Sequence, residues 1–397
     1  MIAPKADLIV LTVDHGLRPA AAAEAQTVAK AANAAGLTCH ILTRKAPDSG
    51  TAIQEDARAD RYRMLCAAAR EHGADAIATG HTAEDQAETL LMRLARGSGV
   101  DGLAAMAPVS RIEGLALLRP LLDQTKRSLQ AVLQVLGVAW TEDPSNADPA
   151  FERPRLRTPG LTLAAAGLTR DPLALSARRL GRARAALEAG RDEANRALVT
   201  LHPEGWVSLP RAGFEALPEE IRIRLLGFWL AAMGTSQSYQ RLSAHEKIVA
   251  DISAEEAIVT TLAGCTIIAS ARTINIVRET GRIGLPRMDL NPGQAILWDR
   301  RFRVHLPASA TSSVLIRTVL RADLKQFLQH HSLERTINYR NLEFAPAAFR
   351  DDKLVASLAL GVWFEPVIFE LVLPDPKHAA GDVRSVIVEC VEPGRTT

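Results

Sequence analysis

One stretch of the sequence concentrates residues that can do chemistry: His81-Thr82-Ala83-Glu84-Asp85-Gln86-Ala87-Glu88-Thr89. It follows a short apolar run, Asp75–Thr79, and opens a helix for which Thr82 suits the N-cap and Glu84 and Asp85 the first turn. On that helix Asp85, Glu88, Thr89 and Met92 stand at i, i+3, i+4 and i+7 and share a face. Two carboxylates one turn apart suit an ammonium group or a divalent cation. The same acids also serve the helix dipole, so the spacing alone leaves both roles open. His81 stands where it can exchange a proton or orient a neighbour, although a lone histidine is more often structural. The stretch is followed by Arg93, Arg96-Gly97-Ser98-Gly99 and Asp101-Gly102-Leu103.

The elements that must position these residues read as alternating strands and helices. Asp7–Val13 is a continuous aliphatic run, the pattern of a strand buried on both faces. Residues 21–35 are Ala-rich and helical, Leu37–Leu42 is the next strand, residues 52–72 are helical and Asp75–Thr79 is a third strand. Alternation of this kind predicts βαβ units and a parallel sheet, whose ligands sit at the carboxyl ends of the strands. The alternation runs to about Trp140. Pro144, Pro149, Pro154 and Pro159 then mark an extended connector. The texture divides the chain into residues 1–157, a helical part over 158–250 with a small hairpin or loop at Pro203–Pro210, a mixed α/β part over 251–372, and a tail over 373–397. In the third part, strands are expected at Ala257–Leu262, Thr266–Ala269, Thr273–Val277 and Ala295–Leu306, with a helix over Ala322–His331.

Composition narrows the function. No run approaches the ~18 apolar residues of a membrane span, and Leu8–Val13, flanked by Asp7 and Asp14, is no signal peptide. Cys39, Cys66, Cys265 and Cys390 are scattered without a Cys-x-x-Cys, which fits a reducing cytoplasm and argues against a disulfide framework or zinc site. Net charge is only +2, yet 39 of the 47 basic residues are arginine. Arginine suits phosphate and base contacts; a GC-rich genome raises arginine as well. Arg153, Arg155 and Arg157 alternate, and Arg178, Arg179, Arg182 and Arg184 crowd one stretch, a pattern that fits a nucleic-acid backbone or a solvated helix face.

His-Thr-x-x-Asp-Gln-x-Glu-Thr followed by Arg-Gly-Ser-Gly-x-x-Gly-Leu resembles the signature of the tRNA(Ile)-lysidine synthetases, which belong to the PP-loop ATP-pyrophosphatases. Three further stretches match in order: Val13-Asp14-His15-Gly16-Leu17-Arg18; Gln54–Arg63, with Ala57-Arg58-x-x-Arg61-Tyr62; and Leu118-Arg119-Pro120-Leu121-Leu122 with Trp140-x-Glu142-Asp143-Pro144-Ser145-Asn146. The family often has two Asp residues where this chain has Glu84 and Asp85, and Arg153-Pro154 departs from its commoner Arg-Asn. The resemblance covers residues 8–157 closely and 255–361 loosely. It implies a parallel-sheet PP-loop domain over 1–157, a tRNA-contacting helical domain and a small mixed C-terminal domain. It implies an ATP-dependent ligase that adenylylates C2 of the wobble cytidine of an isoleucine tRNA, after which a lysine amine displaces AMP. Asp85 and Glu88 would hold the lysine amine, with His81 as acid–base group or orienter. His15, Gly16 and Arg93 would approach the nucleotide. Arg96, Gly97, Ser98, Gly99, Arg119, Arg155 and Arg157 would border the substrates. ATP, Mg2+, L-lysine and isoleucine tRNA are the implied cofactors and partners, with a dimer or a monomer as the assembly.

Enzymes of this superfamily hold the pyrophosphate with Ser-Gly-Gly-x-Asp-Ser, whose glycines let backbone N–H groups close on it and whose Asp helps hold Mg2+. The 397 residues contain no such loop, and the first strand here corresponds to the second of the family. The expectation is an N-terminally truncated PP-loop domain, short by about 30 residues and weak in holding ATP–Mg2+. A gene start placed too far downstream or a decayed gene would both give that result. A non-catalytic RNA-binding homologue and another PP-loop tRNA-modifying enzyme are the alternatives.

Overall fold

The computed structural model describes residues 8–14, 19–43, 53–138, 140, 165–234, 242–281, 284–331, 342–372 and 386–388. The chain divides into two compact units, Met1–Arg184 and Ala185–Thr397.

In the first unit, β1 (Ile9–Asp14) and β2 (Thr38–Thr43) pair in parallel across α1 (Pro19–Ala34), with Ile9 opposite Thr38. A parallel pair needs a crossover of a dozen or more residues, which the Ala-rich helix supplies. α2 (Ile53–Glu71) leads into β3 (Ala76–Ala78), which pairs in parallel with β5 (Leu115–Leu118). The apolar face of α2, Leu65, Cys66 and Ala69, is buried against Ile77 and Leu117, with Leu11, Val13 and Leu42 packed around them. The parallel sheet at the N-terminus is therefore observed.

Two details differ from the sequence expectation. β1 is less buried than expected: Ile9 is 38% exposed and Val10 to Asp14 are only half-buried, and among the described residues the strand pairs only with β2. The alternation also breaks after α3 (Ala83–Ala95) and the single-turn α4 (Val100–Leu103), where β4 (Val109–Ile112) runs antiparallel to β5. Glu113 and Gly114 turn that hairpin with φ of 46° and 86°, the two positive angles a type I′ turn requires. Arg70 closes it, its Nη2 donating to the Glu113 carbonyl at 2.5 Å. Beyond α5 (Lys126–Val135), the first half of α6 (Arg170–Leu198) packs Leu173 and Ala177 against Ala87 and Leu90 of α3.

The second unit begins within α6. Where a hairpin or loop was expected at Pro203–Pro210, β6 (Thr200–His202) and β7 (Trp206–Pro210) form a hairpin and join β8 (Ile258–Leu262), β9 (Cys265–Ala269) and β10 (Thr273–Arg278) in one five-stranded sheet, order β6-β7-β10-β9-β8. α7 (Arg211–Glu215), α8 (Glu219–Met233) and α9 (Leu242–Ala254) lie between β7 and β8 in the chain. β11 (Met288–Leu290) follows. The span expected as one strand over Ala295–Leu306 is a hairpin, β12 (Ala295–Trp298) and β13 (Phe302–His305). Its corner, Asp299 and Arg300, has φ of 45° and 57°. β14 (Val314–Arg317), α10 (Arg321–His330), β15 (Ala347–Arg350), β16 (Lys353–Ser357), β17 (Val362–Trp363), β18 (Ile368–Leu371) and β19 (Val386–Val388) complete the unit. Trp229, Trp298, Phe302 and Phe369 anchor its core. No described helix is long and apolar enough to cross a membrane.

Candidate active site

The site grows from the junction of β3 and α3. Past β3, the Thr79 amide donates to the Leu118 carbonyl at 2.9 Å, carrying the sheet pairing one residue further. The Thr79 hydroxyl shares a 2.9 Å hydrogen bond with His81 Nδ1, which orients the imidazole. Thr82, only 3% exposed, starts the helix. Its amide and hydroxyl both donate to Asp85 Oδ2, at 2.9 and 3.0 Å. Asp85 therefore reaches back over the first turn and satisfies one of the donors that a helix N-terminus leaves unpaired. Glu88 follows one turn on, half-buried like Asp85. The Thr89 hydroxyl donates to the Asp85 carbonyl at 2.7 Å. The structure thus brings His81, Asp85 and Glu88 onto one strand-to-helix junction.

Glu84, which the sequence shows only as a charge-conserving replacement, is a hub. Its Oε2 accepts from the Lys126 amide, the first residue of α5, at 3.0 Å. Its Oε1 accepts from Arg170 Nη1, at the start of α6, also at 3.0 Å. Burial alone would raise the carboxyl, but donation from its own amide, the Lys126 amide and Arg170 outweighs burial and holds it below its ordinary value. The neighbouring Ala83 amide donates to the Gln124 carbonyl at 2.9 Å, so the start of α3 is stitched to the start of α5.

The glycine-bearing motif after α3 is a helix-stop corner. The Gly97 amide donates to the Leu94 carbonyl and the Ser98 amide to the Arg93 carbonyl, both at 3.0 Å. With Gly97 at φ 68°, this is the Schellman arrangement, which needs a left-handed residue just past the helix. Gly99 then caps α4. Gly102 lies so close to Ser98 that a Cβ there would meet the serine Cβ at 2.5 Å. Arg93 Nη1 donates to the carbonyls of Gly102 and Ala105 at 3.0 and 3.3 Å, tying the corner to α3. Arg119 Nη1 donates to the Ala107 carbonyl at 2.8 Å and to Ser110 Oγ at 2.9 Å. Both guanidiniums, Arg93 expected at the nucleotide and Arg119 at the substrates, thus also brace backbone. Arg96 is exposed at the corner.

His15, Gly16, Arg155 and Arg157 lie outside the described residues. In the Gln54–Arg63 stretch, Tyr62 packs on the core of the first unit, and Arg63 pairs with Asp60 at 2.8 Å on the surface. Sequence reasoning missed Glu84 as a hub and missed Arg170 altogether. Arg170 sits 86 positions away, in a stretch read as a different domain, and no local pattern connects the two.

The PP-loop domain family matches residues 2–161. A tRNA(Ile)-lysidine synthase of Bradyrhizobium sp. (strain BTAi1) is 49% identical over 237 residues, covering 57% of this chain and 66% of that protein. A tRNA(Ile)-lysidine synthase of Ruegeria pomeroyi is 38% identical over 305 residues, covering 76% of this chain and 70% of that protein. The matched regions span about two thirds of the length of such relatives (66% and 70%). Among solved structures, the U34-tRNA thiolase NcsA of Methanococcus maripaludis overlaps 45% of this chain and 63% of its own, at 17% identity and a TM-score of 0.37.

Proposed function

The chain belongs to the tRNA(Ile)-lysidine synthase family, and from that premise we propose that it joins L-lysine to C2 of the wobble cytidine of an isoleucine tRNA at the expense of ATP. The observation that carries the proposal is the pair Asp85 and Glu88, half-buried on the first turns of α3 beside His81 at the carboxyl end of β3. Two carboxylates at that spacing hold a cationic amine near a fixed point, and holding reactants in place lowers a barrier by several kcal/mol. Asp85 is already locked by its contacts to Thr82, so little rotamer freedom is lost on binding.

In this reading the oxygen on C2 of the cytosine takes the adenylyl group and pyrophosphate leaves. The lysine amine then attacks C2, and AMP departs with that oxygen. The amine must shed a proton to attack, and His81, oriented by Thr79, is the group we assign to take it. Arg93 is assigned to the nucleotide, as are His15 and Gly16. Arg96, Gly97, Ser98, Gly99 and Arg119 border the cleft, and Arg155 and Arg157 face RNA. Residues 158–250 contact tRNA, and 251–372 form the C-terminal domain. A homodimer and a cytoplasmic setting complete the proposal. Among the described residues, no group of three or more His, Cys, Asp or Glu is placed to hold a metal ion. Mg2+ enters the proposal as the companion of ATP.

The test is equilibrium binding of isoleucine tRNA and of lysine to the full chain, followed by incorporation of labelled lysine into tRNA with ATP. Lysine binding that disappears in Glu88→Gln supports the reading. Tight tRNA binding with no lysine bound at any concentration overturns it in favour of a non-catalytic RNA-binding protein.

A further inference from the structure

We propose that Arg170 is a positioning residue for the lysine site: through Glu84 it fixes the first turn of α3 and couples that turn to RNA held on α6. The inference rests on the function proposed above. Glu84 and Asp85 are adjacent in the first turn, so whatever holds Glu84 sets the azimuth at which Asp85 and, one turn on, Glu88 are presented. Three helices converge on the Glu84 carboxylate. α3 contributes its own amide, α5 its first N–H at 3.0 Å, and α6 the Arg170 guanidinium at 3.0 Å. A carboxylate at two helix N-termini is favoured by both dipoles. The Thr82 hydroxyl, at the start of α3, adds a further bond; of the donors from α5 and α6, Arg170 is the one carried on a side chain, and it is aimed by a second bond, Nε to Asp171 at 2.7 Å.

Packing extends the link. Leu173, Ala177 and Leu180, at i, i+4 and i+7 of α6, lie on Ala87, Leu90 and Leu91 of α3. Arg178 makes a second tether, to Asp123 at 3.3 Å, in the loop that leads into α5. Arg178, Arg179 and Arg182 are exposed, so this part of α6 presents cations to solvent while its apolar stripe rides on the helix that bears the carboxylates. A polyanion docked on those cations holds α6 in the arrangement in which Arg170 meets Glu84. Lysine bound at Asp85 and Glu88 favours the same arrangement, and by linkage each ligand strengthens the other.

The experiment is backbone amide exchange over residues 83–88 in the full chain, with and without isoleucine tRNA, for wild type, Arg170→Ala, Arg170→Lys and Glu84→Gln. Arg170→Ala should speed exchange about fivefold, with Arg170→Lys recovering part of it. Transfer RNA should slow exchange in the wild type and not in Arg170→Ala. The KM for lysine should rise about fivefold in Arg170→Ala while kcat changes less than twofold. Exchange in Arg170→Ala that matches the wild type, or equal protection by tRNA in both, overturns the proposal. So does a fall in Tm with KM unchanged, which marks a merely structural pair. Failure of the wild type to bind tRNA or lysine defeats the function proposed above. The exchange difference without tRNA still decides whether Arg170 positions α3.

Discussion

Gln86 and Met106 exchange two hydrogen bonds: Gln86 Nε2 donates to the Met106 carbonyl and the Met106 amide donates to Gln86 Oε1, each at 2.8 Å. The side-chain amide thus imitates a strand neighbour for a residue that has none, while Gln86 itself is only 7% exposed. The pairing holds Ala105, a non-glycine residue at φ 53°, where L-residues are uncommon. Gln86→Glu should destabilise the chain by about 1–3 kcal/mol, because a carboxylate cannot donate and is left facing the Met106 carbonyl. Urea denaturation should show a lower midpoint with an unchanged slope. A Gln86→Glu midpoint equal to wild type would show that the corner holds without the amide.

Gly102 makes a sharper case. Its φ is ordinary, so space rather than backbone freedom excludes a side chain there. A methyl group would meet Ser98 Cβ at 2.5 Å and Oγ at 2.9 Å. Gly102→Ala should cost about 1–3 kcal/mol as an overpacked contact. Adding Ser98→Gly to it should recover most of the loss, because the clash is with the serine side chain. Thermal unfolding of the two single variants and the double variant reads the coupling. Additive losses would mean that the strain lies elsewhere.

The Glu84 carboxyl is held below its ordinary value in the folded chain. A depressed acid contributes stability that is present above its unfolded pKa and is lost as pH falls through the folded one. Glu84→Gln should therefore lower Tm at pH 7, and the gap to wild type should close as the pH is taken below about 4. A gap that persists unchanged at low pH would show that the glutamate acts through packing rather than charge.

In the second unit, Asp299 lies between two arginines. Arg301 Nε donates to Asp299 Oδ2 at 2.8 Å and Arg278 Nε at 3.1 Å. Arg301 is 1% exposed, and its remaining nitrogens reach the carbonyls of Gly205 and Phe344. Burial pushes its guanidinium down to about 10 despite the Asp299 charge. Asp299→Asn removes the anion that these two arginines share and should cost about 3–5 kcal/mol. Trp229 and Trp298 are buried in this core, so tryptophan fluorescence should report an earlier transition. A variant as stable as wild type would mean that the carbonyls alone satisfy the pair.

The elements of the first unit were legible because period and length separate strand from helix. The expected span 52–72 became Ile53–Glu71, and Leu37–Leu42 became Thr38–Thr43. The β4–β5 hairpin was not foreseen, since Glu113-Gly114 is a weaker turn signal than Asn-Gly or Asp-Gly. Asp85 and Glu88 were legible on one face because one turn of α3 joins them, and His81 stands just ahead of that helix. Arg93 and Arg119 show the limit. An arginine in a motif invites a phosphate, yet a guanidinium has five donors and some of them here bind backbone carbonyls. Glu84 with Arg170 was beyond reach, because contact across 86 positions is set by how helices pack.

Asp85 and Glu88 share a face but are fixed differently, and that separates their effects. Asp85 is part of the N-terminal cap of α3. Asp85→Ala should therefore lower stability by about 1 kcal/mol and weaken lysine binding as well. No such capping duty falls on Glu88, one turn further along. In the proposed reading its charge faces the amine, so Glu88→Gln should leave the stability within about 0.5 kcal/mol of wild type and weaken lysine binding at least tenfold. Calorimetric titration with lysine, paired with thermal unfolding of each variant, separates the two. If Glu88→Gln binds lysine as wild type does, the carboxylate pair is no amine site, and the first turn of α3 is built for capping alone.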